Sequence, residues 1–273
     1  MFNPGSNFPS VSITGSRCAL NCKHCNRLYL KHMIAAEDPD TLLKVAADIK
    51  VRGGTGFLLS GGCGPDGRMD FAPFLDAMRR ITDELELKIN VHTGVVNIQD
   101  AAALVAAGMH TASIDVVGDD RVIEEVYGST HKVDDIRSSL NALRTAGARL
   151  VPHICLGLDF GLSTGVEEAM EMAVECHPSA VVVISLIPTR GTPMENVDPP
   201  GAREVGRTIR SLKQRLDVPV YLGCMRDRKY RENERAALSA GVDGIVNPAR
   251  ETVDMALGMG LDIRKLNACC GIF

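Results

Sequence analysis

The chain has 273 residues, 45% of them hydrophobic, and a formal net charge of −4. That length supplies one well-filled core of the size at which α/β barrels occur, and the slight acidity excludes the basic footprint of a nucleic-acid binder. No apolar run reaches the roughly 18 residues of a membrane span, and residues 1–5 lack the basic and apolar regions of an export signal, so the nine cysteines point to a reducing cytoplasm and to metal binding, not to a disulfide framework.

Apolar, β-branched runs at 10–14, 56–60, 88–92, 111–116, 149–156, 180–187, 218–222 and 244–246 read as strands. Between them, segments 40–52, 72–85, 101–107, 134–145, 202–216 and 231–240 have helical spacing, as in Leu42, Ala46 and Ile49 or Phe74, Met78 and Ile81. Gly53, Gly108, Gly147 and Gly241 stand where such helices would stop. Strands alternating with helices predict a parallel sheet, and their continuous apolar character predicts cover on both faces. The favoured fold is an α/β (β/α)8 or nearly complete TIM-like barrel, with an open doubly wound sheet as the alternative. No linker or repeat divides the chain. Residues 1–273 therefore read as a single barrel domain, with 1–9 as an N-terminal extension and 262–273 as a cysteine-containing tail.

Chemistry concentrates where the predicted strands end. Cys18-x-x-x-Cys22-x-x-Cys25 follows the first strand. Three thiolates on one loop can hold three irons of a [4Fe–4S] cube and leave the fourth iron open. A structural zinc site is the alternative, but it wants four closed ligands, and no second Cys-x-x-Cys pair follows. Gly61-Gly62 after the second strand removes side chains where a ligand could approach the backbone, or makes a tight turn. Ser113 and Asp115 share one strand face, suited to a ribose diol or to local capping. His153, Cys155 and Gly157 share a face of the next strand, with His153 either a cavity contact or a satisfied core residue. Cys63 and Cys224 end two further strands, and the tail closes with Cys269-Cys270. Adjacent cysteines are ill placed to bridge each other. Folded over the barrel mouth, these four thiols could hold a second cluster, or they are inert. The basic stretch Arg226, Arg228, Lys229, Arg231 and Arg235 reads as a solvated helix start or as a surface for an acidic carrier protein.

The cysteine loop with Gly61-Gly62 resembles the radical S-adenosylmethionine (SAM) superfamily. Segments 187–193 and 240–245 resemble its biotin-synthase branch, and segments 12–15, 21–25, 223–226 and the Cys269-Cys270 tail resemble the two-component lipoyl synthases of archaea and anaerobes. This resemblance implies a barrel in which Cys18, Cys22 and Cys25 hold the cluster that binds SAM. It implies that Gly61-Gly62 receives the SAM amino group, although the pattern's usual Glu is Cys63 here. Ser113 and Asp115 would hold the ribose, and His153, Cys155 and Gly157 would lie near the adenine. It further implies sulfur insertion into an octanoyl chain on a lipoyl carrier protein, at the expense of a second cluster. A sister radical SAM protein and a reductant such as ferredoxin or flavodoxin would be partners. Enzymes of the same branch that act on small amino-acid-like substrates give the alternative, and a non-catalytic cluster- or zinc-binding protein gives a third.

Overall fold

In the computed structural model, which describes residues 1–272, nine strands form one parallel sheet. They are β1 Ser10–Ser12, β2 Ile34–Ala35, β3 Gly56–Ser60, β4 Lys88–His92, β5 Met109–Asp115, β6 Leu150–Leu156, β7 Val181–Ser185, β8 Val220–Leu222 and β9 Gly244–Ile245. Apart from β2, which adds outside β1, spatial order follows chain order without reversal. A doubly wound sheet needs a point at which strand order reverses, so the winding is that of a (β/α) barrel. The sheet is not closed by pairing of its end strands. Phe2 instead bridges to Val246 beside β9 and to Leu266.

The helices are α1 Pro39–Val51, α2 Leu75–Leu85, α3 Ile98–Ala106, α4 Asp120–Val122, α5 Val133–Thr145, α6 Val166–Glu175, α7 Ala202–Arg215, α8 Arg231–Ser239 and α9 Arg250–Gly258. Local chemistry starts several of them. Asp38 accepts the N–H of Thr41 at 2.9 Å ahead of Pro39, and Asn97 accepts that of Asp100 at 2.8 Å; each satisfies a donor that the first turn leaves free. Among the elements that went unread in the sequence, β2 and α9 have plain physical reasons. Strand β2 is two exposed residues, too short to show a period. Helix α9 buries only Thr252 and Ala256, too little for an apolar stripe.

Strand alternation splits the interior into two regions. Outward residues such as Val11, Phe57, Leu59, Ile89, Val91, Ala112 and Ile114 join the main core beneath the helices. Each large side chain buried there contributes about 1.5–3 kcal/mol. Inward residues are more polar: Ser12, Asn90, Thr111 and Ser113 are all buried. A second, smaller cluster joins Phe2, Val151, Val182, Tyr221 and Val246 to Cys270, with the Phe2 and Tyr221 rings edge to face at 4.9 Å. The tail therefore runs into the bore and does not lie across the mouth as the sequence suggests.

Candidate active site at the strand ends

The segment after β1 is irregular, and side chains of its own hold it. Ser12 Oγ donates to the Gly15 carbonyl at 2.7 Å. Thr14 Oγ1 donates to the Arg17 carbonyl at 2.9 Å and accepts the Gly62 N–H at 2.7 Å. The Cys25 and Asn26 N–H groups both donate to the Cys22 carbonyl. Asn26 and Arg27 then adopt left-handed backbone, with φ of 45° and 60°, an uncommon state for residues with a Cβ. Asn26 Nδ2 donates to the Gly191 carbonyl at 3.1 Å, and the Tyr29 and Thr189 hydroxyls meet at 2.7 Å. The cysteine loop is thereby tied to the loop after β7.

This arrangement turns Cys18, Cys22 and Cys25 toward one cavity of about 240 Å³. Gly61, Gly62 and Cys63 form another wall, and His92, Asp115 and Tyr127 a third. Gly62 cannot be another residue, because an added Cβ would lie 2.0 Å from the Arg17 carbonyl oxygen and 2.5 Å from Cys18 Cβ. The Gly-Gly backbone thus packs directly on the cysteine loop. Burial pushes the thiols of Cys22 and Cys25 up, and neighbouring cysteines add to the effect. Burial, then the charge of Cys18, pushes Cys63 up to about 12. Such thiols lose their protons readily only to a cation, which makes coordinating sulfur deprotonated. All nine cysteines are free. Among the described residues no three His, Cys, Asp or Glu side chains converge as they would on a single metal ion.

The far wall is a cluster of imidazoles around one carboxylate. Asp115 Oδ1 is a buried atom with no hydrogen-bond partner, 3.4 Å from His92 Nε2. Burial alone would raise the Asp115 pKa, but His92 first, then His153 and His24, hold it at about 2. His92 rises in return, because Asp115 outweighs its desolvation. His153, whose ring centre lies 5.6 Å from that of His92, falls to about 4 through burial and then repulsion by His92. Its Nδ1 sits 3.0 Å from the Val151 carbonyl, which fixes the neutral tautomer with Nε2 unprotonated. His24, stacked edge-on against Tyr127 at 5.1 Å, also falls to about 4 through burial.

Other residues singled out from the sequence lie elsewhere. Ser113 donates to Asn90 Oδ1 at 2.9 Å inside the bore, so its hydroxyl is engaged with protein. Gly157 adopts φ +82° against Pro200, whose Cδ would meet an added Cβ at 2.5 Å; packing and backbone conformation account for the glycine. Cys155 is half-buried and apolar in its setting, and burial raises its thiol pKa. The four further cysteines divide. The Cys63 carbonyl accepts the Ala19 N–H at 2.8 Å and lies 3.7 Å from Cys18 Sγ, so Cys63 belongs with the first three. Cys224, Cys269 and Cys270 influence one another instead, and Cys269 Sγ lies 3.8 Å from Asn90 Nδ2. Arg226 is not a solvated helix start: it is buried, in a 2.6 Å ion pair with Glu234. His92 and Tyr127 were missed from sequence. His92 is findable, since it ends β4 on the face that Asn90 shares. Tyr127 ends a π-helical turn, Ile123–Tyr127, which leaves no period to read.

Comparison with known proteins adds to this geometry. The profile of the radical SAM superfamily matches residues 12–175. A biotin synthase from Zymomonas mobilis is 27% identical over 249 residues, covering 86% of this chain and 72% of that protein. One from Campylobacter hominis is 24% identical over 259 residues, covering 88% and 75%. Among solved structures, methylornithine synthase (PylB) superposes with a TM-score of 0.64 at 14% identity over 94% of this chain and 84% of that one. The FeFe-hydrogenase maturase HydG from Carboxydothermus hydrogenoformans gives 0.65 at 16% identity over 95% and 66%. These two likenesses establish the shared fold.

Proposed function

Because the chain belongs to the radical SAM superfamily and is thus a radical SAM enzyme, similar to the biotin-synthase branch, we propose that it inserts sulfur into an unactivated carbon. The substrate is an octanoyl-lysine on a lipoyl carrier protein, and the enzyme works as a component of lipoyl synthase. The observation that carries this reading is the second group of thiols, Cys224, Cys269 and Cys270, separate from the cavity cysteines in the same barrel. Sulfur insertion needs a sulfur source apart from the centre that cleaves SAM, and soft thiolates are the ligands for one.

The residues present fit the cofactors that the family implies. Cys18, Cys22 and Cys25 would hold the [4Fe–4S] cube, and Gly61-Gly62 would offer backbone carbonyls to the SAM ammonium in the close approach that Gly62 permits. Asp115, ionised and with an orphaned oxygen, would accept the ribose hydroxyls. When bound, the cluster and SAM together supply a 5′-deoxyadenosyl radical, while the protein's part is orientation and exclusion of water. His153, held neutral beside Asp115, keeps further positive charge off that wall. A one-electron donor such as ferredoxin or flavodoxin and a sister radical SAM protein complete the system, in the cytoplasm. No helix among the described residues is long and apolar enough to cross a membrane.

The test is anaerobic reconstitution with iron and sulfide, then reduction with SAM and octanoylated lipoyl carrier. Thiolated carrier, formed as iron is lost from the protein, supports the reading. Deoxyadenosine with an unmodified carrier would overturn it and assign a small amino-acid-like substrate.

A further inference from the structure

The loops at the strand ends carry a charged surface that extends beyond the cavity, of which Arg27 alone also lines the cavity. The cysteine loop bears Lys23, Arg27 and Lys31, and the loop after β7 bears Arg190. These loops are joined by the Asn26–Gly191 and Tyr29–Thr189 bonds, so the four cations share one rim. None of the four pairs with a carboxylate among the described residues, a state shared by some cations elsewhere, such as Arg207 and Arg228, while Arg121, which reaches the loop after β6, is paired with Asp159. The carboxylates bordering the rim are largely engaged. Glu195 accepts the Gly191 N–H at 2.8 Å, and Asp159 is held by Arg121 and Thr164. Asp198, exposed beside Gly161, is the free one on the flank.

The loop after β6 adds an apolar element to this rim. Phe160 is 43% exposed and Leu162 66%, and the Lys23 ammonium stands 5.3 Å from the Phe160 ring centre. Phe160 also has φ +48°. The exposed part of the ring contributes nothing to the core, and the left-handed state is strained for phenylalanine. Glycine, as at Gly157 and Gly161 on either side, would fit that backbone without strain. The ring is thus held half-exposed on strained backbone, beside the ammonium of Lys23.

We propose that Lys23, Arg27, Lys31 and Arg190, with Phe160 and Leu162, form the docking surface for an acidic carrier domain that delivers its acylated lysine to the cavity. The inference deepens the sulfur-insertion reading and rests on it for the nature of the cargo. A half-exposed aromatic residue on a surface that also carries like charges matches the anatomy of protein interfaces, where aromatic residues carry energy and rim charges steer encounter.

Binding of fluorescently labelled octanoylated lipoyl domain to the reconstituted enzyme tests it, with labelled flavodoxin as the second probe. Wild-type affinity for the lipoyl domain is expected to fall steeply with added salt. The double variant Lys31→Glu/Arg190→Glu should weaken it by about tenfold or more, as a change of roughly 1.4 kcal/mol gives. Phe160→Gly should also weaken it by several-fold, with a single cooperative melting transition showing that the variant is folded. Deoxyadenosine formation without carrier should be unchanged in both variants, which shows that the centre is intact. Undetectable binding of the lipoyl domain, equal affinity for all three proteins, or loss of flavodoxin binding alone would overturn the proposal. If the lipoyl domain docks through these residues but is never thiolated, the docking surface stands and the sulfur-insertion reading fails.

Discussion

The two groups of thiols sit in opposite surroundings. The first, on the loop after β1, faces an open cavity on irregular backbone with two left-handed residues. The second depends on chain ends and long-range packing. Cys270 is 2% exposed among Phe2, Val151, Val182 and Tyr221, and Cys224 is exposed on the loop after β8. That loop is anchored by the buried Arg226–Glu234 pair, in which Glu234 also accepts from the Ala249 N–H and the Thr252 hydroxyl. The difference teaches that one local loop can bring a thiol group together by itself. A group assembled from a strand end and a chain terminus depends on the whole fold to do so.

The comparison can be broken by substitutions that separate activity from folding. Cys22→Ala should abolish deoxyadenosine formation on reduction with SAM while leaving the melting temperature near that of the wild type, since its loop is not core; retained deoxyadenosine would dissolve the first group as a centre. Glu234→Ala should cost about 3–5 kcal/mol in urea unfolding, because it leaves the Arg226 charge buried and unpaired. Cys270→Ser should cost about 1–3 kcal/mol in the same measurement, because a hydroxyl replaces a thiol in an apolar setting. Equal stability of Cys22→Ala and Cys270→Ser would remove the contrast.

A smaller effect sharpens the picture of the cavity wall. The pKa of His153 is lowered from 6.5 to about 4 in the folded protein. The unfolded chain therefore binds a proton there first as the solution is acidified. Stability contributed by the neutral ring is present above about pH 6.5 and is lost as pH falls toward about 4. His153→Gln should flatten the pH dependence of the urea midpoint in that window, and an unchanged profile would contradict the buried, neutral state.

Much of this was legible in the sequence where the cause is local. Strand and helix alternation follows from apolar periods, and the Cys18, Cys22, Cys25 spacing lies within one turn-rich loop. Gly62 is readable as a glycine with a purpose, although its reason, the close packing on Arg17 and Cys18, appears only in three dimensions. The first strand ends at Ser12, not at residue 14, because the Ser12 and Thr14 hydroxyls turn the chain into the cysteine loop. Arg226 reads as a solvated charge because its partner Glu234 comes from another turn of the chain. The meeting of Asn90 with Cys269, 179 residues apart, has no sequence signature at all. Such contacts depend on how the barrel closes around its own ends.

The proposed function requires the two thiol groups to hold two separate iron–sulfur centres, and counting iron and sulfide per chain after anaerobic reconstitution tests this most directly. The wild type should carry about eight irons, and Cys269→Ser/Cys270→Ser about four, since each cube holds four. About four in both proteins would contradict the account.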